Sequence, residues 1–180
     1  MLIVEGIDGT GKTSIVSRLK DFGMNTVFYD YDPLAYDLIK KYKNINIVKN
    51  GVSDRSFISE LTYGNVVRGH SRLTEDDYKI LLDFYASLGT DVIYLKANLR
   101  TLLERRQDDQ ADLELLYKFF EPLAESYDKA IQIAKQYLPV HEYDTADTTV
   151  DKILDSLKKR KVIRIGTGNN LKGTGNGKTV

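Results

Sequence analysis

The chain has 180 residues, enough for one domain with a sizeable core. Lysine plus arginine and aspartate plus glutamate each total 26, so the net charge is zero and a general polyanion binder is not expected. There is no cysteine, which excludes disulfides and thiolate metal sites, and no apolar run exceeds four residues, too few to cross a bilayer. The elements then follow in order. Met1–Val4 is an apolar run that reads as a buried strand, and Ser14–Lys20 has apolar residues at helical spacing. Between them stands a glycine-rich turn. Thr26–Tyr29 reads as a second strand, followed by helical spacing from Leu34 to Tyr42 with Pro33 suited to a first turn. Gly51–Ser53 is a short strand leading into Asp54. Helical patterns occupy Phe57–Arg68 and Glu75–Leu88, the second opened by a capping arrangement of Thr74 and Asp77. Asp91–Leu95 is the clearest interior strand. Leu99–Arg106 and Asp112–Gln136 read as helices, with a kink or break expected at Pro122. His141–Asp144 is a last strand and Thr149–Lys159 a last amphipathic helix.

Strands alternating with helices imply an α/β fold, a parallel sheet covered on both faces, whose ligands bind at the carboxyl ends of the strands. The glycine turn sits at that end of the first strand. Gly6-Ile7-Asp8-Gly9-Thr10-Gly11-Lys12-Thr13 matches the phosphate-binding pattern G-x-x-x-x-G-K-[ST] at every fixed position. Glycines let a backbone wrap round oxygens that a Cβ would block, and the wrapped N–H groups and helix N-terminus hold an anion. Gly6, Asp8, Gly9, Thr10, Gly11, Lys12, Thr13 and Ser14 are therefore the expected ATP-binding residues. Lys12 would reach the β- and γ-phosphates, and the Thr13 hydroxyl would bind Mg²⁺. Asp54 and Arg55 end the third strand beside this loop. The carboxylate is a second candidate metal ligand, and the guanidinium suits a phosphate.

These segments resemble a family. Glu5–Thr13 is similar to the start of thymidylate kinases, E-G-x-D/E-x-x-G-K-[ST]. Asp54-Arg55-Ser56-Phe57-Ile58-Ser59-Glu60-Leu61-Thr62-Tyr63-Gly64 resembles their D-R-Y-x-x-S-x-x-A-Y-Q without a gap, keeping Asp54, Arg55, Ser59 and Tyr63. Arg68 falls where that family carries another phosphate-binding arginine. Phe119–Tyr127 matches the helix after the family's lid, and Glu142–Ala146 its last strand beside the adenine pocket. The resemblance implies a P-loop three-layer sandwich with a five-stranded parallel sheet and a short helical lid at about 100–112. It implies ATP and Mg²⁺ as cofactors and transfer of the γ-phosphoryl group to a deoxynucleoside monophosphate. Lys12, Arg55 and lid residue Arg105 would be catalytic, with Arg105 also touching ATP. Asp8, Asp32, Asp54, Arg55, Ser59, Tyr63 and Arg68 would bind the acceptor, Asp8 near its sugar. A homodimer is also implied.

The chain departs from that pattern in places. Gly64 replaces a glutamine on the thymine side, Ser56 replaces an aromatic, and the usual Arg-Glu-Pro-Gly after the second strand is reduced to Asp32-Pro33. Asp54-Arg55-Ser56-Phe57-Ile58-Ser59 also resembles the E-R-S-x-x-S of deoxynucleoside kinases, in which Asp32 would be the general base for a nucleoside 5′-hydroxyl. Asp8 in the loop and Arg68 as a second cation favour the monophosphate reading. A non-kinase nucleotide switch is the third alternative, and no guanine-reading N-K-x-D segment supports it. Residues 1–161 form the expected kinase domain. Residues 162–180 are rich in glycine and asparagine and read as a mobile basic tail, with Gly177-Lys178-Thr179 a decoy of the phosphate loop. Nucleic acid and membrane are not expected partners. With Met1 opening directly into a strand, no signal peptide is expected and the cytosol is the default compartment.

Overall fold

The computed structural model describes residues 1–28, 37–44 and 50–163. Five strands form one sheet: β1 (Leu2–Glu5), β2 (Asn25–Phe28), β3 (Gly51–Asp54), β4 (Asp91–Lys96) and β5 (Val140–Asp144). Their order is β2-β3-β1-β4-β5 and every pairing is parallel. Seven helices are present among the described residues: α1 (Lys12–Asp21), α2 (Leu38–Asn44), α3 (Phe57–Val67), α4 (Glu75–Ser87), α5 (Leu99–Arg105), α6 (Gln110–Ala134) and α7 (Val150–Lys159).

The period of two along each strand divides the core. Leu2 and Val4 of β1, with Ile93 and Leu95 of β4, pack on α1 and α7 through Ile15, Leu19, Ile153 and Leu157. Ile3, Val92 and Tyr94 point the other way, into a larger cluster built on α3, α4 and α6. A central strand buried on both faces must be apolar throughout, which is why β1 and β4 read as continuous hydrophobic runs. In the larger layer Phe57 stacks on Tyr85 at 5.1 Å between centroids. The buried tyrosines find acceptors in the backbone, Tyr85 at Tyr42 O (2.8 Å) and Tyr78 at Ala130 O (2.9 Å).

The helix starts are chemically marked. Ser56 caps α3 by accepting from Ile58 N–H. The Thr74–Asp77 box closes in both directions, Asp77 N–H to Thr74 Oγ1 at 3.1 Å and Thr74 N–H to Asp77 at 2.9 Å. Of the kink or break expected at Pro122, the break does not occur: helix α6 runs through Pro122. Pro122 and Lys118, whose carbonyl loses its intrahelical donor there, are both exposed, so water can satisfy that oxygen. On the opposite side Leu116, Leu123, Tyr127 and Ile131 are buried and hold the helix together.

Candidate active site

The turn after β1 adopts the shape its glycines permit. Gly6, Gly9 and Gly11 have φ of 146°, 88° and 90°, a region that strains any residue with a Cβ. At Gly6 a Cβ would also collide with the Leu95 carbonyl oxygen and stand 2.8 Å from Thr10 Oγ1. Thr10 closes the turn through its hydroxyl and its N–H, both donating to Ile7 O (2.7 and 3.2 Å). Lys12 folds back over this loop and donates to Gly6 O (2.9 Å) and Ile7 O (3.1 Å). Burial, and then the neighbouring Arg55 charge, bring its ammonium down to about pKa 8.

Pairing of β3 with β1 sets Asp54 opposite Val4. The two candidate metal ligands meet there: Thr13 Oγ1 donates to Asp54 Oδ2 at 2.8 Å. A hydroxyl and a carboxylate side by side are hard oxygen donors, the chemistry Mg²⁺ takes when phosphate oxygens and water complete its shell. No group of three or more His, Cys, Asp or Glu residues is assembled for a metal among the described residues. His141 pairs with Asp91 at 2.8 Å.

Arg55 follows Asp54 with φ 70°, a left-handed conformation rare for a residue with a side chain. Its N–H donates to Val4 O (2.9 Å), which fixes the turn. The guanidinium is thereby aimed at Asp8, with which it forms an ion pair, and lies over the Tyr63 ring at 4.8 Å. Tyr63 OH also donates to Asp8 (2.9 Å). Burial alone would raise the Asp8 carboxyl, but Lys12 and then Arg55 outweigh it and bring the group to about 2. Against its own desolvation, Arg55 is raised by the tyrosines and acids around it. Asp8, Arg55 and Tyr63 thus form one connected cluster at one end of the loop.

Beneath it lies Glu5, a motif residue with no chemical role expected from its position in the sequence. Glu5, the last residue of β1, is fully buried. Its carboxylate accepts from Ser56 Oγ (2.6 Å), Ser59 Oγ (2.7 Å), Ser59 N (3.3 Å) and Tyr127 OH (3.2 Å). Burial pushes its pKa up, against the pull of those hydrogen bonds and of Arg55. An acid ending an otherwise apolar central strand is the one signal that pointed to such a hub. Ser59 therefore serves Glu5 and Tyr127 and does not line the cleft.

The cleft has a volume of about 600 Å³ and runs from Asp8 and Arg55, over the loop and Ser14, to the turn between β5 and α7. Arg105 bridges its two sides, donating to Gly9 O (3.1 Å), Thr145 Oγ1 (3.0 Å) and Thr145 O (2.6 Å). Arg106 also lines it and pairs with Asp112 at 3.0 Å. Arg68 caps the end of α3 and pairs with Glu60 outside the cleft. Gly64 makes room for it, since a Cβ there would lie 2.7 Å from Arg68 Nη2 and 2.8 Å from Ser71 Cα. Asp32 and residues 164–180 lie outside the described residues.

No protein-family model and no curated protein sequence matches the chain. Its fold does match solved structures. The YorR protein of Bacillus subtilis, in complex with phosphorylated GDP, superimposes with a TM-score of 0.72 at 22% identity, over 88% of this chain and 97% of that one. The deoxyadenosine kinase of M. mycoides with bound dCTP gives 0.57 at 20% identity, over 91% and 100%. The thymidylate kinase of Candida albicans gives 0.54 at 14% identity, over 89% and 91%. At such identities the likeness is one of architecture, and it agrees with the sheet order and the loop: the chain has the P-loop kinase fold.

Proposed function

We propose that the protein transfers the γ-phosphoryl group of a nucleoside triphosphate to a deoxynucleoside monophosphate with the help of Mg²⁺. One observation carries this reading: Lys12, Arg55 and Thr13, whose hydroxyl is bonded to Asp54, line a single cleft that continues past the phosphate loop to the β5–α7 turn. The fold neighbours, among them a thymidylate kinase and a deoxyadenosine kinase, are consistent with it.

Phosphoryl transfer asks a protein mainly for positioning and for charge placed where charge develops. The N–H groups of residues 8–13 would cradle the donor phosphates. Lys12 would exchange its loop carbonyls for the β- and γ-oxygens. Thr13 and Asp54 would hold Mg²⁺, which when bound supplies neutralising charge between the phosphates. Arg55, pre-aimed by its left-handed backbone, would hold the acceptor phosphate, with Asp8 and Tyr63 beside it. A dianionic acceptor attacks with its own oxygen and needs no strong base. Arg105 ties the loop to the β5–α7 turn, so its first role would be to position the donor. Residues 1–161 would act as one kinase domain, without need of the tail.

A second reading is favoured by one contact. Arg68 is engaged with Glu60, so a single arginine, Arg55, remains on the acceptor side of the cleft among the described residues. A nucleoside 5′-hydroxyl would need no second cation, and Asp32 is then the expected base. Assays of ATP and GTP with Mg²⁺ against all common nucleosides and monophosphates separate the two. Consumption stimulated by a monophosphate supports the first reading, and stimulation by a nucleoside alone supports the second.

A further inference from the structure

The far end of the cleft has a chemistry of its own. A nucleotide with its phosphates on the loop at residues 6–13 would lay its base against the turn between β5 and α7, residues 145–150. A backbone turn often reads a purine edge through its N–H and C=O groups. Here much of that capacity is already used. Thr145 N–H donates to Lys96 O (2.8 Å), Ala146 N–H to Asp144 Oδ1 (2.8 Å) and Thr148 N–H to Asp144 O (3.0 Å). Thr145 O and Thr145 Oγ1 both accept from Arg105. The Asp147 and Thr149 N–H groups keep no partner among the described residues, and they share the reading of the base with the side chains of the turn.

Asp147 stands out among them. It is exposed, lines the cleft, and its carboxylate has no hydrogen bond or ion pair among the described residues. The other carboxylate lining the cleft, Asp8, is committed to Lys12, Arg55 and Tyr63. An ionised carboxylate can only accept. Guanine offers it two adjacent donors, N1–H and N2–H₂. Adenine offers one donor, N6–H₂, beside the N1 lone pair, which would face the second carboxylate oxygen. We infer that Asp147 makes the donor site prefer a guanine nucleotide to an adenine nucleotide, through a two-pronged hydrogen bond to the guanine Watson–Crick edge. The inference rests on the kinase reading of the cleft and adds the identity of the donor base. A bidentate base contact of this kind is worth about 10- to 100-fold in discrimination.

Aspartate to asparagine is the informative change, because the amide presents one acceptor and one donor, the complement of adenine N6–H₂ and N1. With no partner to lose, the side chain can be replaced without cost to the fold. The experiment is calorimetric titration of the wild-type chain, Asp147→Asn and Asp147→Ala with GDP and ADP in Mg²⁺, alongside phosphoryl transfer from GTP and ATP. Wild type is expected to bind GDP about 10- to 100-fold more tightly than ADP. Asp147→Asn should reverse or erase that ratio, and Asp147→Ala should lower GDP affinity with little change for ADP. Equal binding by wild type, or a preference for GDP that Asp147→Asn leaves intact, overturns the inference even if transfer occurs. A GDP preference removed by the substitution, in a protein that transfers no phosphoryl group, upholds the base assignment and overturns the kinase reading. Failure of both nucleotides to bind overturns both.

Discussion

The Thr13 hydroxyl donates to the Asp54 carboxylate across 2.8 Å, although 41 positions separate them in the chain. The sheet brings them together: β3 lies beside β1, so the end of one strand faces the first turn of the helix that follows the other. Substitution of either residue should act through the metal. Asp54→Asn and Thr13→Ala are expected to raise the Mg²⁺ concentration for half-maximal turnover at least tenfold and to cut turnover about 100-fold or more. A Mg²⁺ titration checks this. An unchanged metal requirement would remove the pair from ion binding.

Lys12 predicts an alkaline limit. Its folded pKa, near 8, lies below the ordinary lysine value, so the charged form is lost as pH rises through 8. Because kcat/KM reports the free enzyme, it should fall about tenfold per pH unit above that point. Bound phosphates favour the charged form, so the limit in kcat should lie higher. In Lys12→Arg, which does not titrate there, the limb should vanish from whatever activity remains. A flat kcat/KM profile to pH 10 would contradict the assignment.

Asp8 predicts an acid-dependent share of stability. Its folded pKa, about 2, is below the unfolded value of 3.8, so its contribution is present in full above about pH 4 and fades as pH falls towards 2. The size is on the order of 2 kcal/mol. Thermal melts from pH 6 to pH 2 should therefore converge for wild type and Asp8→Asn as pH falls. A gap that stays constant across the range would mean that Lys12 and Arg55 do not hold this carboxylate ionised.

Glu5 should be intolerant of truncation. Glu5→Ala would leave two serine hydroxyls, an amide and the Tyr127 hydroxyl facing a dry cavity, a loss of about 3 kcal/mol or more. Tyr127→Phe removes a single donor and should cost about 1–2 kcal/mol. Urea unfolding orders these variants. Equal destabilisation by the two would mean that Glu5 is not the centre of the network.

How much of this was legible in the sequence depends on how local the signal was. The glycine turn after β1 was readable, because Gly6, Gly9 and Gly11 hold conformations that glycine alone adopts easily. Strands β1 and β4 were readable because a strand buried on both faces must be apolar throughout. The start of α4 was readable from its reciprocal cap. That α6 would not break at Pro122 was not readable, since a proline's cost depends on whether the carbonyl it orphans faces water, which is a tertiary fact. The buried hub at Glu5 and the Arg105 bridge to Gly9 and Thr145 join positions 51 to 122 and 40 to 96 apart, and no short-range pattern encodes them. Arg68 fell at the expected spacing, but its partner is Glu60 on its own helix, a choice made possible by the space at Gly64.

The most direct test follows labelled γ-phosphate from GTP or ATP, with Mg²⁺, into each deoxynucleoside monophosphate and each deoxynucleoside, for the wild-type chain and for Lys12→Ala. Label is expected in a nucleoside diphosphate, with transfer reduced at least 100-fold in the folded Lys12→Ala variant. Release of free phosphate alone, indifferent to every acceptor, or transfer that survives the loss of Lys12, would contradict the proposed function.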